Sequence, residues 1–219
     1  MSPEAVWHSK GFGPACARVL LWPFSGIYWL GWTAYEGVYR TGIKSPKEAH
    51  RPVVCIGSLV AGGSGKTPAT IAVARLLRDM GRQVTVGASG YGSPAAAGAS
   101  IAPEGSLSAR EWGDEPAMIR EEVPDVPLIV GRDRVLAAGI CRKNFPDSVL
   151  VLDDGLQHLP LLKHLRICIE DDSPNRLVLP AGPYRQPHSA ARRMDALIGR
   201  APFRLEHLPP VLVDSDGGS

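Results

Sequence analysis

Residues 58–68 read SLVAGGSGKTP, directly after the apolar run PVVCIG at 52–57 and directly before ATIAVARLLRDMG at 69–81. A β-branched run ending in glycine predicts a strand. Downstream, Ile71, Ala74 and Leu77 recur at helical spacing, with Val73 and Met80 alongside, and Gly81 supplies the stop. Pro68 falls in the first helical turn, where a missing N–H costs nothing. A strand that runs through a glycine-rich turn into a helix is built to hold phosphate, because the free N–H groups and the positive dipole end of the helix converge on an anion. The full pattern is G-x-x-x-x-G-K-[ST]. Counted back from Gly65-Lys66-Thr67, its first glycine falls on Val60, and Gly62 and Gly63 lie inside the loop instead. The candidate phosphate loop is therefore Val60, Ala61, Gly62, Gly63, Ser64, Gly65, Lys66 and Thr67. Lys66 would supply a point charge for the β- and γ-phosphates, and Thr67 a hydroxyl for Mg²⁺. The competing reading is a glycine-rich turn with no ligand, but such turns rarely place Lys and Thr together at a helix start.

Outward from this unit, apolar runs alternate with helical patterns. QVTVGA (83–88), VPLIV (126–130), SVLVL (148–152), LRICIE (165–170) and DALIG (195–199) read as strands, and DRVLAAGICRKN (133–144) as a helix. Continuous apolar strands interleaved with helices predict an α/β, P-loop NTPase-like parallel sheet flanked by helices. Residues 89–113 are rich in Gly, Ser, Ala and Pro and read as a long loop, with a helix opening at Asp114. The organisation expected is an N-terminal membrane-interfacial helical segment at 1–44, a P-loop kinase-like core at 45–205 and a polar tail at 206–219, whose end VDSDGGS (213–219) is expected to lack fixed structure.

Beyond the loop, SVLVLDDGLQH delivers Asp153 and Asp154 at the C-terminal end of a buried strand, where ligands gather in parallel sheets. A carboxylate there can hold Mg²⁺ directly or through water. An acidic turn that caps its own backbone is the alternative. GDEP (113–116) places Asp114 where it serves either as a helix N-cap or as a base for a hydroxyl proton. The arginines of GRDR (131–134) fit phosphate binding or pairing with nearby acids. LPAGPYRQP (179–187) is turn-rich and carries Arg185.

The formal charge of +2, with no Lys/Arg block interleaved with aromatics, gives nucleic acid no support as a partner. Cys16, Cys55, Cys141 and Cys168 form no C-x-x-C pair, so neither a zinc site nor a redox motif is indicated. Nine of the fourteen aromatic residues lie in the first forty positions, and no charge falls between Arg18 and Glu36. That run is slightly short of the roughly 20 apolar residues of a bilayer span. Arg40, Lys44, Lys47 and Arg51 follow it. The Trp density favours an amphipathic helix lying in a membrane interface. An amphipathic helix packed on the domain is the second reading, and a true span the third.

Taken together, GGSGKTP, GYG (90–92), GDEP, GRDR, LDDGLQH and LPAGP stand in the order and spacing of the tetraacyldisaccharide 4′-kinases, the lipid A 4′-kinase family. Over about residues 15–200 the chain resembles that family, in which a valine at the Val60 position is ordinary. The resemblance implies ATP- and Mg²⁺-dependent phosphorylation of a 4′-hydroxyl on a membrane-embedded, acylated glucosamine disaccharide 1-phosphate, in lipid A biosynthesis. It implies that residues 60–67 hold ATP, with Gln157 and His158 beside them. It gives Asp114 the role of catalytic base alongside Lys66, gives the metal to Thr67, Asp153 and Asp154, and gives the acceptor to Tyr91 and Arg185. It places the N-terminal helix on the cytoplasmic face of the bacterial inner membrane. Ser58, Ser89 and Gln186 depart from the Asn, Arg and Glu usual there, and the family's second lobe, with a histidine partner for the catalytic aspartate, is expected to be lacking in a chain that stops at Ser219. These departures keep an alternative in view: a catalytically weak or inactive ATP-binding membrane adaptor. A nucleotide hydrolase driving a partner leaves GDEP and LPAGP unexplained.

Overall fold

Strand β1 (Val53–Ser58) is buried along its whole length and sends alternate side chains into two different cores. This pattern requires cover on both faces of its sheet. The computed structural model describes residues 2–170 and 173–199, and the backbone of 203–205 and 212–214. Ahead of β1 come helices α1 (Pro3–His8) and α2 (Phe12–Arg40). After it follow α3 (Lys66–Asp79), β2 (Val84–Ala88), β3 (Ala99–Ile101), α4 (Ala109–Trp112), α5 (Asp114–Glu122), β4 (Leu128–Gly131), α6 (Arg134–Asn144), β5 (Val149–Asp153), β6 (Leu165–Ile169) and β7 (Ala196–Ile198). The sheet order is β3-β4-β2-β5-β1-β6-β7, and every pairing is parallel except that of β3 with β4. Val54, Ile56, Val86 and Val151 pack under α3 and α5 through Ile71, Ala74 and Ile119. Val53, Cys55, Leu150 and Leu152 pack under α6 through Ala137, Ala138 and Cys141.

The expected alternation of strands and helices is therefore the observed one, and all five strands predicted after β1 form. The stretch 89–113 differs from the long loop expected of it. It holds a 3₁₀ turn (Pro94–Ala97), β3 and α4. The sequence Ala-Ser-Ile is too short and too weakly apolar to announce a strand. What makes it one is the free edge of β4, to which it pairs antiparallel. Gly131 permits the approach: a Cβ there would stand 2.1 Å from the Gly98 carbonyl oxygen. At the chain's end, β8 (Phe203–Leu205) pairs antiparallel with β9 (Leu212–Asp214). Backbone pairing thus orders Val213 and Asp214, part of the polar end expected to lack structure. Apart from 212–214, the 206–219 tail lies outside the described residues.

Helix α2 continues through Pro23, Gly26 and Gly31 and docks in the opposite sense to a helix packed on a domain by its apolar side. Its polar residues face the protein. Ser25 is buried, and its hydroxyl donates to the Val178 carbonyl at 2.9 Å. Tyr28 donates to the Arg185 carbonyl at 2.9 Å, and Glu36 pairs with Arg193 at 2.7 Å. The opposite side is apolar and open: Val19, Leu20, Ile27 and Leu30 are 63–74% exposed. An amphipathic helix packed on a domain buries its apolar face, and this one buries its polar face. No helix among the described residues is long and apolar enough to cross a membrane.

The β3–β4 contact yields a stability prediction. Gly131→Ala forces a methyl into the β3 backbone and is expected to cost about 1–3 kcal/mol in urea unfolding. Gly139→Ala, on the exposed face of α6 with no atom within 4 Å of the added carbon, is expected to be stabilising by up to about 1 kcal/mol.

Candidate active site

The parallel strands bring the ends of β1, β2, β4, β5 and β6 to one edge of the sheet. The loop after β1 is built in two halves. In the first half, Leu59–Val60–Ala61 is held by an isolated antiparallel bridge, the one rung of a short ladder with 183–185. Val60 bridges Tyr184 antiparallel, the Ala61 N–H donates to the Pro183 carbonyl at 2.8 Å, and the Arg185 N–H donates to the Leu59 carbonyl at 2.7 Å. The Val60 side chain is buried beside Tyr184 in the core under α6. A β-branched residue suits extended backbone, so a glycine at position 60 has nothing to supply. In the second half the chain turns, and there glycine is required: φ is 109° at Gly62 and 76° at Gly65. No atom stands within 4 Å of where a Cβ would project from Gly62, Gly63 or Gly65, so this half of the loop is open.

Gly65 caps α3, and Lys66 and Thr67 form its first turn. The Lys66 ammonium lies over its own loop, donating to the Gly62 carbonyl at 2.9 Å and to Ser64 Oγ at 3.3 Å. Thr67 points down to the sheet and donates to Asp153 Oδ2 at 2.8 Å. Thr70, one turn on, reaches Oδ1 of the same carboxylate at 3.1 Å and the Lys66 carbonyl at 3.0 Å, with one proton to share between them. Arg134 is buried beneath and donates to the Asp153 carbonyl oxygen. Burial nevertheless dominates at Asp153. It pushes the carboxyl up to about 6, against the pull of the Thr67 hydrogen bond, with the charge of Glu115 adding to the rise.

Asp154, its neighbour, sits in a different environment. Its backbone is left-handed, with φ of 51°. Arg185 Nη1 pairs with its Oδ2 at 2.8 Å, while its Oδ1 is buried with no hydrogen-bond partner. The structure thus joins two residues to which the resemblance assigns separate tasks, metal and acceptor. Gln157 donates to the Ser58 carbonyl at 3.0 Å and braces the start of the loop. His158 is held neutral by burial first, then by the charges of Lys163 and Arg134; its Nε2 is buried without a partner.

Asp114 opens α5 and is exposed, while Glu115 beside it is the acid whose charge reaches Asp153 and Arg134. The position of Asp114 is set by a close backbone contact. A Cβ on Gly113 would stand 3.2 Å from Gly90 Cα, so GDEP and GYG are pressed together at the edge. Tyr91 projects from that contact, 80% exposed, with the Arg132 guanidinium 5.0 Å above its ring. GRDR therefore divides its arginines: Arg132 stacks at the rim, and Arg134 is buried under Asp153. Thr70 and Glu115 were not anticipated from sequence, although Thr70 lies one helical turn after Thr67 and so on the same face. Also unforeseen is α1, whose Glu4 and His8 line a cleft of about 360 Å³ with residues 60–64 and Pro183.

Comparison with known proteins accords with this geometry. The family model for tetraacyldisaccharide-1-P 4′-kinase matches residues 17–207. A tetraacyldisaccharide 4′-kinase of Verminephrobacter eiseniae is 37% identical over 98% of this chain and 52% of its own length. One from Geobacter metallireducens is 40% identical over 73% of this chain and 49% of its own. The crystal structure of the "apo" form of LpxK from Aquifex aeolicus in complex with ATP superposes with a TM-score of 0.77 at 32% identity, covering 84% of this chain and 58% of that one. The chain spans about half the length of the two curated relatives.

The raised carboxyl of Asp153 predicts a pH effect on stability in the presence of EDTA. The folded state binds this proton more tightly than the unfolded chain, whose carboxyl titrates near 3.8. The resulting stabilisation is complete below that value and is lost as pH rises through about 6. Urea titrations between pH 4 and 7 should show wild type losing roughly 3 kcal/mol relative to Asp153→Asn across this window. Parallel pH profiles for the two proteins would refute the buried, uncompensated carboxyl.

Proposed function

The chain belongs to the tetraacyldisaccharide-1-P 4′-kinase family, and from that premise we propose that it transfers the γ-phosphate of ATP to the 4′-hydroxyl of a tetraacyl disaccharide 1-phosphate at a membrane surface. The observation that carries this reading is the hydrogen bond from Thr67, in the first turn after an open glycine loop, to a buried aspartate on the adjacent strand. An open cradle of backbone N–H groups at 62–65, a helix start and Lys66 suit the phosphates of a nucleotide.

The residues present also fit Mg²⁺. Thr67 and Asp153 offer oxygens at the loop, and the unpartnered Asp154 Oδ1 is a buried acceptor at the same strand end. These three would hold the ion, which when bound would supply positive charge against the phosphates. Lys66, freed from the Gly62 carbonyl, would swing onto the transferring phosphate. Asp114, exposed at the edge, would take the proton of the attacking 4′-hydroxyl. Gln157 and His158 would back the nucleotide. Tyr91 would meet the acceptor sugar, with Arg132 fixing its ring, and Arg185 would meet an anionic group once released from Asp154.

Membrane seating follows from α2. Its open apolar face, its Trp and Tyr residues and the trailing Arg40, Lys44 and Lys47 suit the interface of an anionic bilayer. The cytoplasmic face of the bacterial inner membrane is the location we assign, since ATP is supplied there.

In mixed micelles of tetraacyl disaccharide 1-phosphate with ATP and Mg²⁺, the chain should form the 4′-phosphorylated product. Lys66→Ala should lower the rate about 10²–10³-fold, and Asp114→Asn about 10²–10⁴-fold. Product no higher than in the Lys66→Ala protein, with ATP still bound, would leave the adaptor alternative standing and remove the kinase. For the membrane, Ile27→Glu and Leu30→Glu should each weaken co-sedimentation with anionic phospholipid vesicles by about tenfold or more, since each removes a buried apolar side chain from the interface. Undiminished binding would show that this face is not the one that docks.

A further inference from the structure

The segment 177–187 touches two places that are far apart in sequence: the protein-facing side of α2 and the first half of the phosphate loop. Toward α2, the Ser25 hydroxyl donates to the Val178 carbonyl and accepts from the Ala181 N–H at 3.0 Å. Tyr28 adds its hydrogen bond to the Arg185 carbonyl. Toward the loop, Pro183, Tyr184 and Arg185 form the ladder with Leu59, Val60 and Ala61. Arg185 is the junction. Its carbonyl accepts from Tyr28, its N–H holds Leu59, and its guanidinium holds Asp154.

Between its two attachments the segment is stiff. The Gly182 N–H donates to the Val178 carbonyl at 3.1 Å and the Tyr184 N–H to the Leu177 carbonyl at 3.2 Å. A Cβ on Gly182 would stand 2.1 Å from the Leu177 carbonyl oxygen, so the turn is closed on itself without slack. A rigid turn passes a displacement at one end to the other. The first half of the loop has few other restraints of this kind: the Val60 N–H donates to Ser58 Oγ at 3.2 Å, Gln157 braces Ser58, and the second half is open.

We propose that Ser25 and Tyr28 are positioning residues for the nucleotide site: through the 177–187 segment, the helix that carries the exposed apolar face sets the conformation of the phosphate loop. The inference rests on the nucleotide-binding reading above and extends it. Neither residue touches the nucleotide. They act on the Leu59–Ala61 ladder and on the Arg185–Asp154 pair, so seating of α2 and affinity for ATP are linked quantities.

The test uses the full chain, with ATP and Mg²⁺ measured by calorimetry. Loss of one hydrogen bond in the relay should raise the ATP Kd about three- to tenfold in Tyr28→Phe, and similarly in Ser25→Ala. The thermal midpoint and the partitioning onto anionic vesicles should stay near wild type, which a general loss of structure would not allow. In a Val60→Gly background, which loosens the ladder, Tyr28→Phe should add little further loss, because the two changes break one relay. A wild-type chain that binds no ATP overturns the nucleotide reading and this inference with it. Wild-type binding with unchanged affinity in both Tyr28→Phe and Ser25→Ala overturns this inference alone. So does a loss of affinity that is matched by a fall in thermal midpoint, or one fully additive with Val60→Gly.

Discussion

The pairing of β1 with β5 is the constraint from which the active edge is built. Its register sets Ile56 beside Asp153, so the chain leaving β1 passes the acid within a few residues and returns over it as α3. Thr67 and Thr70 then fall on the helix face above Asp153, and both hydroxyls reach it. Side chains alternate along a strand, so a slip of one residue would turn Asp153 into the opposite core. Apolar neighbours of β1 and β5 on both faces make such a slip costly. The chemistry at the edge therefore depends on hydrophobic packing well below it.

That packing also explains why the two adjacent aspartates differ. Asp153 ends a buried strand, so its carboxyl loses water and keeps its proton to about pH 6 despite two hydroxyl donors and a nearby guanidinium. Asp154 follows a left-handed step and reaches a more open site, where Arg185 meets it. A cation introduced between them would reverse the balance at Asp153, because a nearby positive charge favours the ionised form. The same burial keeps His158 neutral and lowers the affinity of Lys163 for its proton.

The orientation of α2 is the other organising feature. Most helices of a soluble domain turn apolar residues inward. Here Ser25, Tyr28 and Glu36 face inward, each to a partner from the 178–193 region, and the aliphatic stripe is left outside. Polar anchors fix the helix in one rotation, which a greasy contact would leave less defined. The outer face is thereby held in a constant relation to the sheet edge, through the turn that also braces the glycine-rich loop after β1.

By itself the sequence determined the repeating units. Continuous apolar runs and period-3.6 stripes are local, so β1, α3, β2, β4, α6, β5, β6 and β7 were all legible, as were the turn at 62–65 and the acids at 153 and 154. Two kinds of feature were not. The first depends on an edge or a gap left by something distant. Ala99–Ile101 becomes a strand because β4 has a free edge and Gly131 has no side chain. Val60 replaces a loop glycine without penalty because residues 183–185 arrive to pair with it. The second kind is the choice among partners of one chemical type. Nothing local distinguishes Arg132 from Arg134, or Asp153 from Asp154. The tertiary structure separates them, burying Arg134 and leaving Arg132 at the rim, and giving Asp153 hydroxyl partners and Asp154 an arginine, because hydrogen-bond and charge partners are decided by which segments meet across the fold.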